Sequence, residues 1–205
     1  MCSEKKMWDR VVAFHGHSCL GLAIGFRVAE AAMRSLGNVR DIDEEMVAIV
    51  ENDSCAVDAI QVITGCTLGK GNLIYRDYGK QAYTFNLRKN GKAVRVTPKG
   101  LDEERNREIM ALREKVAGGK AEEEEIKLLK SKTKELIEEM LIRPVEEVCL
   151  IQEINCKIPE KARIFTSIAC SCCGEKVMEP RARVKDGKPV CIPCSEKYTR
   201  GWGEN

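Results

Sequence analysis

Both histidines of the chain and a cysteine lie within five residues, as His15, His17 and Cys19. Two imidazoles and a thiol are ligands that suit a borderline metal such as zinc. A loop that carries them could therefore offer two or three ligands to one ion. In the alternative interpretation, Cys19 packs as a small hydrophobic residue and the histidines only cap a turn. The clustering favours a site.

A buried helix is predicted directly after this loop, because apolar residues recur at helical spacing along one stripe. The stripe consists of Leu22, Phe26, Ala29, Met33 and Leu36. Ser18 is a suitable N-cap, which would place Cys19 in the first helical turn. Free amide groups and the helix dipole favour a thiolate at that position.

A second helix is predicted over residues 55–64, with Asp53 or Ser54 as its N-cap. Cys55 would then repeat the placement of Cys19, and the two thiols could face one crevice if the helix N-termini converge. Cys66, in the glycine-rich stretch GCTLGKGN, is a third candidate thiol. That stretch does not have the spacing of a Walker A loop, so we do not expect it to bind a nucleotide.

The remainder of the core combines strands and helices. Residues 46–50 read as a buried strand, and residues 72–97 alternate as in an antiparallel sheet, with a type I′ hairpin turn at Asn90-Gly91. Residues 101–116 and 121–142 are predicted to form two charged amphipathic helices, which offer packing surfaces for a second subunit. The pattern predicts strands and helices in one domain.

The most specific motif is a pair of CxxC sequences near the end of the chain. They are formed by Cys170, Cys173, Cys191 and Cys194, with seventeen residues between the pairs. Such pairs hold a tetrahedral zinc ion, and residues 185–188 would form the turn of the hairpin between them. A region of this size has too small a core to fold alone, so zinc would supply much of its folding free energy. A site closed by four cysteines is structural, because it leaves no position for a substrate.

Composition limits the classes of partner. The net charge is +2, from 34 basic and 32 acidic residues, so no global field attracts nucleic acid or an anionic membrane. Acidic residues also interrupt the basic residues of the zinc module, which makes nucleic acid an unlikely partner. Eleven cysteines without an export signal or a long apolar run indicate reduced thiols and metal sites. We expect a soluble cytoplasmic protein that does not contact the membrane.

Three stretches resemble the FmdE-like family, which is named after formylmethanofuran dehydrogenase: FHGHSCLGLAIGFRVAEAAM, ENDSCAVDAIQVITGCTLGKGNL and the terminal CxxCGE…CxxC. The resemblance covers nearly the whole chain. It implies an α+β core domain over residues 1–160, with an antiparallel or mixed sheet, and a treble-clef-like zinc finger over residues 165–205. It also implies a homodimer and an active-site cleft. The residues carried over to that cleft are His15, His17, Cys19, Cys55 and Cys66, with Asn52 and Asp53 beside them.

The family name points to molybdenum or tungsten enzymes that interconvert carbon dioxide and a formylated one-carbon carrier. A first hypothesis is therefore a metal-dependent redox or accessory protein of one-carbon metabolism, either an oxidoreductase or a component of one. Its second metal, expected to be zinc, would bind His17, Cys19 and Cys55, which would be the catalytic residues, and keep a position open for water or substrate.

A second hypothesis is a non-enzymatic metal carrier or a maturation factor that docks on a molybdenum or tungsten enzyme. Surplus thiols are compatible with it, namely Cys66, Cys149, Cys156 and Cys172. A nucleic-acid-binding regulator built on the zinc finger is a third hypothesis, and it predicts salt-dependent binding of DNA or RNA.

Overall fold

The computed structural model describes residues 2–100 and 103–195. Contacts divide the chain into two compact units, Met1–Lys161 and Ala162–Asn205. The start of the helix predicted over residues 101–116 and residues 196–205 of the predicted finger domain lie outside the described residues. Within the described part, no helix combines the length and hydropathy needed to cross a bilayer.

The first unit alternates helices and strands. Its helices are α1 (Cys2–His15), α2 (Leu20–Ser35), α3 (Ala56–Thr64), α4 (Glu103–Ala117), α5 (Glu123–Ile142) and the short α6 (Val145–Val148). Its strands are β1 (Met46–Val50), β2 (Leu73–Tyr75), β3 (Tyr83–Leu87), β4 (Ala93–Pro98) and β5 (Cys149–Ile154). The predicted α+β class with a mixed sheet is confirmed.

The sheet has the strand order β2-β1-β3-β4-β5. β1 and β2 run parallel, and the other neighbours are antiparallel. Every residue of β1 and of β3 is buried, because these strands lie inside the sheet and helices cover it. Leu22 and Phe26 of α2 belong to the same hydrophobic cluster as Tyr83 and Phe85 of β3.

Helices α2 and α3 approach each other closely at glycine. A Cβ atom added to Gly25 would lie 2.2 Å from the carbonyl oxygen of Ala56, far inside van der Waals contact. Gly21, one helical turn earlier, would place a Cβ 3.3 Å from the Cβ of Cys55. The two glycines therefore bring the N-terminal ends of the two helices together.

The β3–β4 hairpin is present, but its predicted type I′ turn at Asn90-Gly91 is wrong. That turn needs two consecutive residues with positive φ, whereas Gly91 has φ 71° and Asn90 does not have a positive φ. The amide of Leu87 donates to the carbonyl of Lys92 at 2.8 Å, so residues 88–91 form a longer connection.

The second unit consists of two small antiparallel hairpins. β6 (Ser167–Ala169) pairs with β7 (Lys176–Met178), and β8 (Arg183–Lys185) pairs with β9 (Lys188–Val190). Asp186 and Gly187 between β8 and β9 have φ 50° and φ 72°, as a type I′ turn requires, which agrees with the turn predicted over residues 185–188. Among residues 162–195, Cys170 and Val190 are the only buried ones. The unit has little hydrophobic core.

Candidate functional site

The histidine and cysteine motif connects α1 to α2. His15 is the last residue of α1, and α2 begins at Leu20. The donor atoms of His15, His17 and Cys19 all lie within 4.8 Å of one another, and the two imidazole rings are tilted with centroids 4.5 Å apart. His15 and Cys19 are half-buried, whereas His17 is exposed. The three side chains could converge on one metal ion.

Cys19, and not Ser18, is the N-cap of α2, so the predicted cap is wrong. The backbone of Cys19 is extended (φ −146°, ψ 164°), and its sulfur accepts a hydrogen bond from the amide of Leu22 at 3.3 Å. The sulfur therefore takes the position that a serine hydroxyl would occupy in an N-cap. It lies at the positive end of the helix dipole, an environment that favours an anionic ligand.

Asp58 of α3 holds the His15 ring. Its Oδ2 atom lies 2.7 Å from Nδ1 of His15, while Nε2 of the same ring lies 3.9 Å from the sulfur of Cys19. When the carboxylate accepts the Nδ1 proton, Nε2 keeps its lone pair and faces the thiol. This is the carboxylate–histidine arrangement found around metal ligands. The sequence interpretation did not include Asp58, although it lies one helical turn after Cys55.

Cys55 directly precedes α3, and the structure brings it to Cys19. Burial raises the pKa of the Cys55 thiol, and the hydrogen bond with the Cys19 thiol adds to that shift. A Cβ atom added to Gly21 would lie 3.8 Å from the sulfur of Cys55 and 3.9 Å from that of Cys19. The glycine therefore leaves the space that both sulfurs need.

Asn52 organises the turn before Cys55. Its Oδ1 atom accepts hydrogen bonds from the amide of Ser54 at 3.1 Å, from the hydroxyl of Ser54 at 2.7 Å and from the hydroxyl of Tyr83 at 3.3 Å. Its amide donates to the carbonyl of Lys80 at 2.7 Å. Asn52 is 6% exposed, and its hydrogen bonds fix the backbone that carries Cys55.

A cleft of about 400 Å³ opens beside Cys55 and His15. Its wall has apolar residues and carboxylates, and it includes His15, Val50, Asn52, Asp53, Ser54, Cys55, Val57, Asp58, Leu68 and Tyr75. Leu68 is 70% exposed and Tyr75 is 45% exposed, which leaves an apolar rim open to a ligand. The volume is in the range of small-molecule sites.

Cys66 does not join this cluster. Its side chain is fully buried, its sulfur donates to the carbonyl of Met46 at 3.6 Å, and burial raises its pKa to about 12. A thiol that remains protonated at neutral pH and faces a carbonyl is a poor metal ligand. Of the predicted core-site residues, the structure thus brings together His15, His17 and Cys19, places Cys55 near Cys19 beside Gly21, and places Cys66 elsewhere.

The sulfurs of the four-cysteine cluster in the second unit, Cys170, Cys173, Cys191 and Cys194, lie within 4.8 Å of one another. Backbone amides of Cys173 and Cys191 lower the pKa of Cys170 to about 6, so that its sulfur is prepared to act as a thiolate. Cys172 is exposed. The donor set and the spacing fit a structural zinc ion.

The chain combines a mixed α+β core, which carries a histidine–cysteine cluster, with a four-cysteine zinc finger. These features define it as a two-unit zinc-finger protein. The chain belongs to the FmdE family, because residues 14–150 match the family model described as "FmdE, Molybdenum formylmethanofuran dehydrogenase operon". Residues 163–200 match the prokaryotic dksA/traR C4-type zinc finger. Both matches confirm the resemblance found in the sequence.

A relative from Archaeoglobus fulgidus, described as a probable S-adenosyl-L-methionine-binding protein, is 38% identical over 196 residues. The match covers 92% of this chain and 52% of the relative, so the chain spans about half the relative's length. The crystal structure of a tungsten formylmethanofuran dehydrogenase FmdE-like protein from Syntrophus aciditrophicus is similar with a TM-score of 0.63 and 22% identity. That likeness covers 98% of this chain and 94% of the other, and it concerns the fold.

Proposed function

We propose that the first unit binds a borderline transition metal, in the first instance zinc, and serves molybdenum- or tungsten-dependent one-carbon metabolism as a redox or accessory protein. The main support for the metal site is that the donor atoms of His15, His17 and Cys19 lie within 4.8 Å of one another. The bond between Asp58 and His15 supports it, because that contact leaves one ring nitrogen free for a metal.

Each residue would have its own role at this site. Asp58 orients His15, and the amide of Leu22 fixes the sulfur of Cys19. Cys55 is the candidate fourth ligand, or it leaves the fourth position to water or substrate. A metal with such an open position would act as a Lewis acid on a group bound in the neighbouring cleft.

The link to one-carbon metabolism rests on the family and on the name of the Syntrophus aciditrophicus protein. A homodimer and a molybdenum or tungsten enzyme as partner belong to the same proposal. Light scattering of the purified chain tests the dimer. Co-purification with the enzyme from a cell that makes both tests the partner.

A metal carrier is the alternative within the same site, and exchange kinetics separate the two roles. A carrier releases its ion to a competing chelator within minutes. An enzyme retains its ion and binds a small ligand at the open position. Half-exposed ligands such as Cys19 and Cys55 are compatible with either role.

The name of the Archaeoglobus fulgidus relative supports a second candidate function, the binding of S-adenosylmethionine in the cleft. The ring of Tyr75 and the carboxylates of Asp53 and Asp58 line one wall, and both kinds of group attract an organic cation such as a sulfonium. Calorimetry should then show tighter binding of S-adenosylmethionine than of S-adenosylhomocysteine, which lacks the sulfonium charge. Absence of S-adenosylmethionine binding would remove this candidate, and equal binding of the two would refute recognition of the sulfonium charge.

Chelator competition on the full chain tests the metal site. We expect His17→Ala and Cys19→Ser each to weaken the affinity of the core site more than about 100-fold, since removal of a mere supporting residue already costs 10–100-fold. Cys66→Ser is the matched control, because that thiol is buried away from the cluster. Unchanged affinity in the His17 and Cys19 variants would refute the proposed site.

A further inference from the structure

We propose that Cys19 and Cys55 form a reversible dithiol–disulfide couple, and that its oxidation empties the metal site of the first unit. The couple itself stands on the geometry of the two thiols. The effect on the metal rests on the proposed function, because Cys19 is one of the ligands proposed above.

The two thiols come from different helices but lie beside the same glycine, Gly21. A Cβ atom added to Gly21 would lie 3.8 Å from the sulfur of Cys55 and 3.9 Å from that of Cys19, and both cysteines are partly exposed, so a reagent can reach them. The approach of the Cys19 and Cys55 sulfurs does not depend on flexible side chains alone. Gly21 and Gly25 bring the backbone of α2 against Cys55 and Ala56, which keeps the two cysteines close. A disulfide requires such a short separation of the two backbones.

The surroundings assign different roles to the two sulfurs. The sulfur of Cys19 accepts the amide of Leu22 at the start of α2, and Nε2 of His15 lies 3.9 Å from it as a proton acceptor. A thiol at a helix N-terminus beside an imidazole is the arrangement of an attacking cysteine. Cys55 has no comparable amide contact at its own helix, since its side chain makes no cap hydrogen bond. Cys19 therefore attacks, and Cys55 resolves.

The co-reactant is a small-molecule disulfide. Cys19 transfers its proton to His15 and attacks one sulfur of that disulfide, which forms a mixed disulfide and releases one small thiolate; that thiolate takes the proton. Cys55 then loses its proton and attacks the sulfur of Cys19, and the second small thiolate leaves with that proton. The two protein thiols are oxidised to one disulfide, and the small disulfide is reduced to two thiols.

The other cysteines of the first unit whose side chains the structure describes lack these features. Burial raises the pKa of Cys66 to about 12 and that of Cys149 to about 11, and both side chains are inaccessible. Cys156 is partly exposed, and its thiol donates to the amide oxygen of Asn86 at 2.9 Å. It provides a matched control for a single accessible thiol.

The test exposes the full chain, stripped of metal under reducing conditions, to glutathione buffers of increasing disulfide content. Peptide mass mapping then identifies which cysteines are linked. We expect a Cys19–Cys55 crosslink that dithiothreitol reverses, and Cys55→Ser should trap glutathione on Cys19. Cys19→Ser should abolish glutathione uptake at Cys55, and Cys156→Ser should leave the crosslink unchanged.

A chain in which Cys19 and Cys55 each carry glutathione without a crosslink would overturn the couple. A crosslink that forms but leaves the zinc affinity of the first unit unchanged would refute the claim that oxidation empties the metal site. The reduced chain is titrated with zinc in parallel. Failure of the reduced first unit to bind zinc, together with a crosslink that still forms, would refute the proposed metal site and support the couple.

Discussion

His15 has two ring nitrogens, and Asp58 determines which one is available. The short contact between Oδ2 of Asp58 and Nδ1 of His15 assigns the proton to Nδ1 and turns Nε2 towards Cys19. The cluster itself was predictable, because His15, His17 and Cys19 are neighbours in the sequence. The supporting carboxylate was not, since it lies 43 residues further along the chain and meets His15 only in the fold.

Asp58→Asn should weaken metal binding at the first unit by about 10–100-fold, because an asparagine cannot orient and polarise the imidazole as a carboxylate does. The measurement is chelator competition with the full chain. Asp77→Asn, which removes an exposed carboxylate beside Tyr75, is the control and should bind as the wild type does. An affinity of Asp58→Asn equal to that of the control would mean that His15 is not a ligand.

Asp41 gives the chain a stability that depends on pH. Burial alone would raise the pKa of Asp41, but hydrogen bonds from Lys70, from the amide of Met46 and from Asn72 outweigh it and hold its pKa below the ordinary value of an aspartate. A carboxylate with a lowered folded-state pKa stabilises the fold above its unfolded-state pKa. That contribution is lost as the pH falls through the folded-state value.

Asp41→Asn should therefore reduce the free energy of unfolding by about 3 kcal/mol near pH 7, because it leaves Lys70 and the buried amides poorly paired. The difference from wild type should shrink as the pH is lowered from about 5 to about 3. Urea unfolding followed by circular dichroism measures it. The exposed neighbour Asp43 supplies the control, Asp43→Asn. A difference that stays constant from pH 7 to pH 3 would contradict this account of Asp41.

At the scale of elements, the site depends on how closely α2 and α3 pack. The sequence predicted both helices from their apolar periodicity, and it predicted the buried strand β1. Periodicity does not report tertiary distances, so the approach of Cys19 to Cys55 stayed a hypothesis. The signal was nevertheless present: Gly21 and Gly25 are one turn apart on one helix, a spacing that lets a second backbone approach. The hairpin turn was misread because Asn-Gly also occurs in longer connections.

Gly25→Ala should destabilise the first unit by about 1–3 kcal/mol and weaken metal binding, because the added methyl group would overlap the carbonyl of Ala56 and push α2 and α3 apart. Thermal unfolding and chelator competition measure the two effects. Gly100→Ala meets open space and has no positive φ, so it serves as the control. If Gly25→Ala kept both the stability and the affinity of the control, glycine packing would not position the thiols.

At the scale of the whole molecule, the two units differ in what stabilises their folds. The first has a continuous hydrophobic core, whereas Cys170 and Val190 are the only buried residues in the described part of the second. The CxxC spacing predicted the four-cysteine cluster because turns of that kind fix their own geometry. The sequence contained no equally local signal for the cleft, whose walls come from α1, β1, α3, β2 and the segments between them.

Cys173→Ser should remove the metal from the second unit and unfold it without changing the thermal unfolding of the first. The reason is that metal binding, and not hydrophobic burial, supplies the folding free energy of so small a unit. Limited proteolysis should then cleave within residues 162–195 while residues 2–100 stay resistant. Cys172→Ser, at an exposed cysteine outside the cluster, should keep the metal and the resistance. Resistance of Cys173→Ser to the protease would show that the unit folds without its metal.

The most direct test of the account is the metal content of the full chain, measured by elemental analysis of the wild type, of His17→Ala/Cys19→Ser and of Cys191→Ser. We predict two equivalents in the wild type and one in each variant, with the remaining ion in the finger of the first variant and in the core of the second. One equivalent in the wild type that persists in His17→Ala/Cys19→Ser and disappears in Cys191→Ser would contradict a metal site in the first unit.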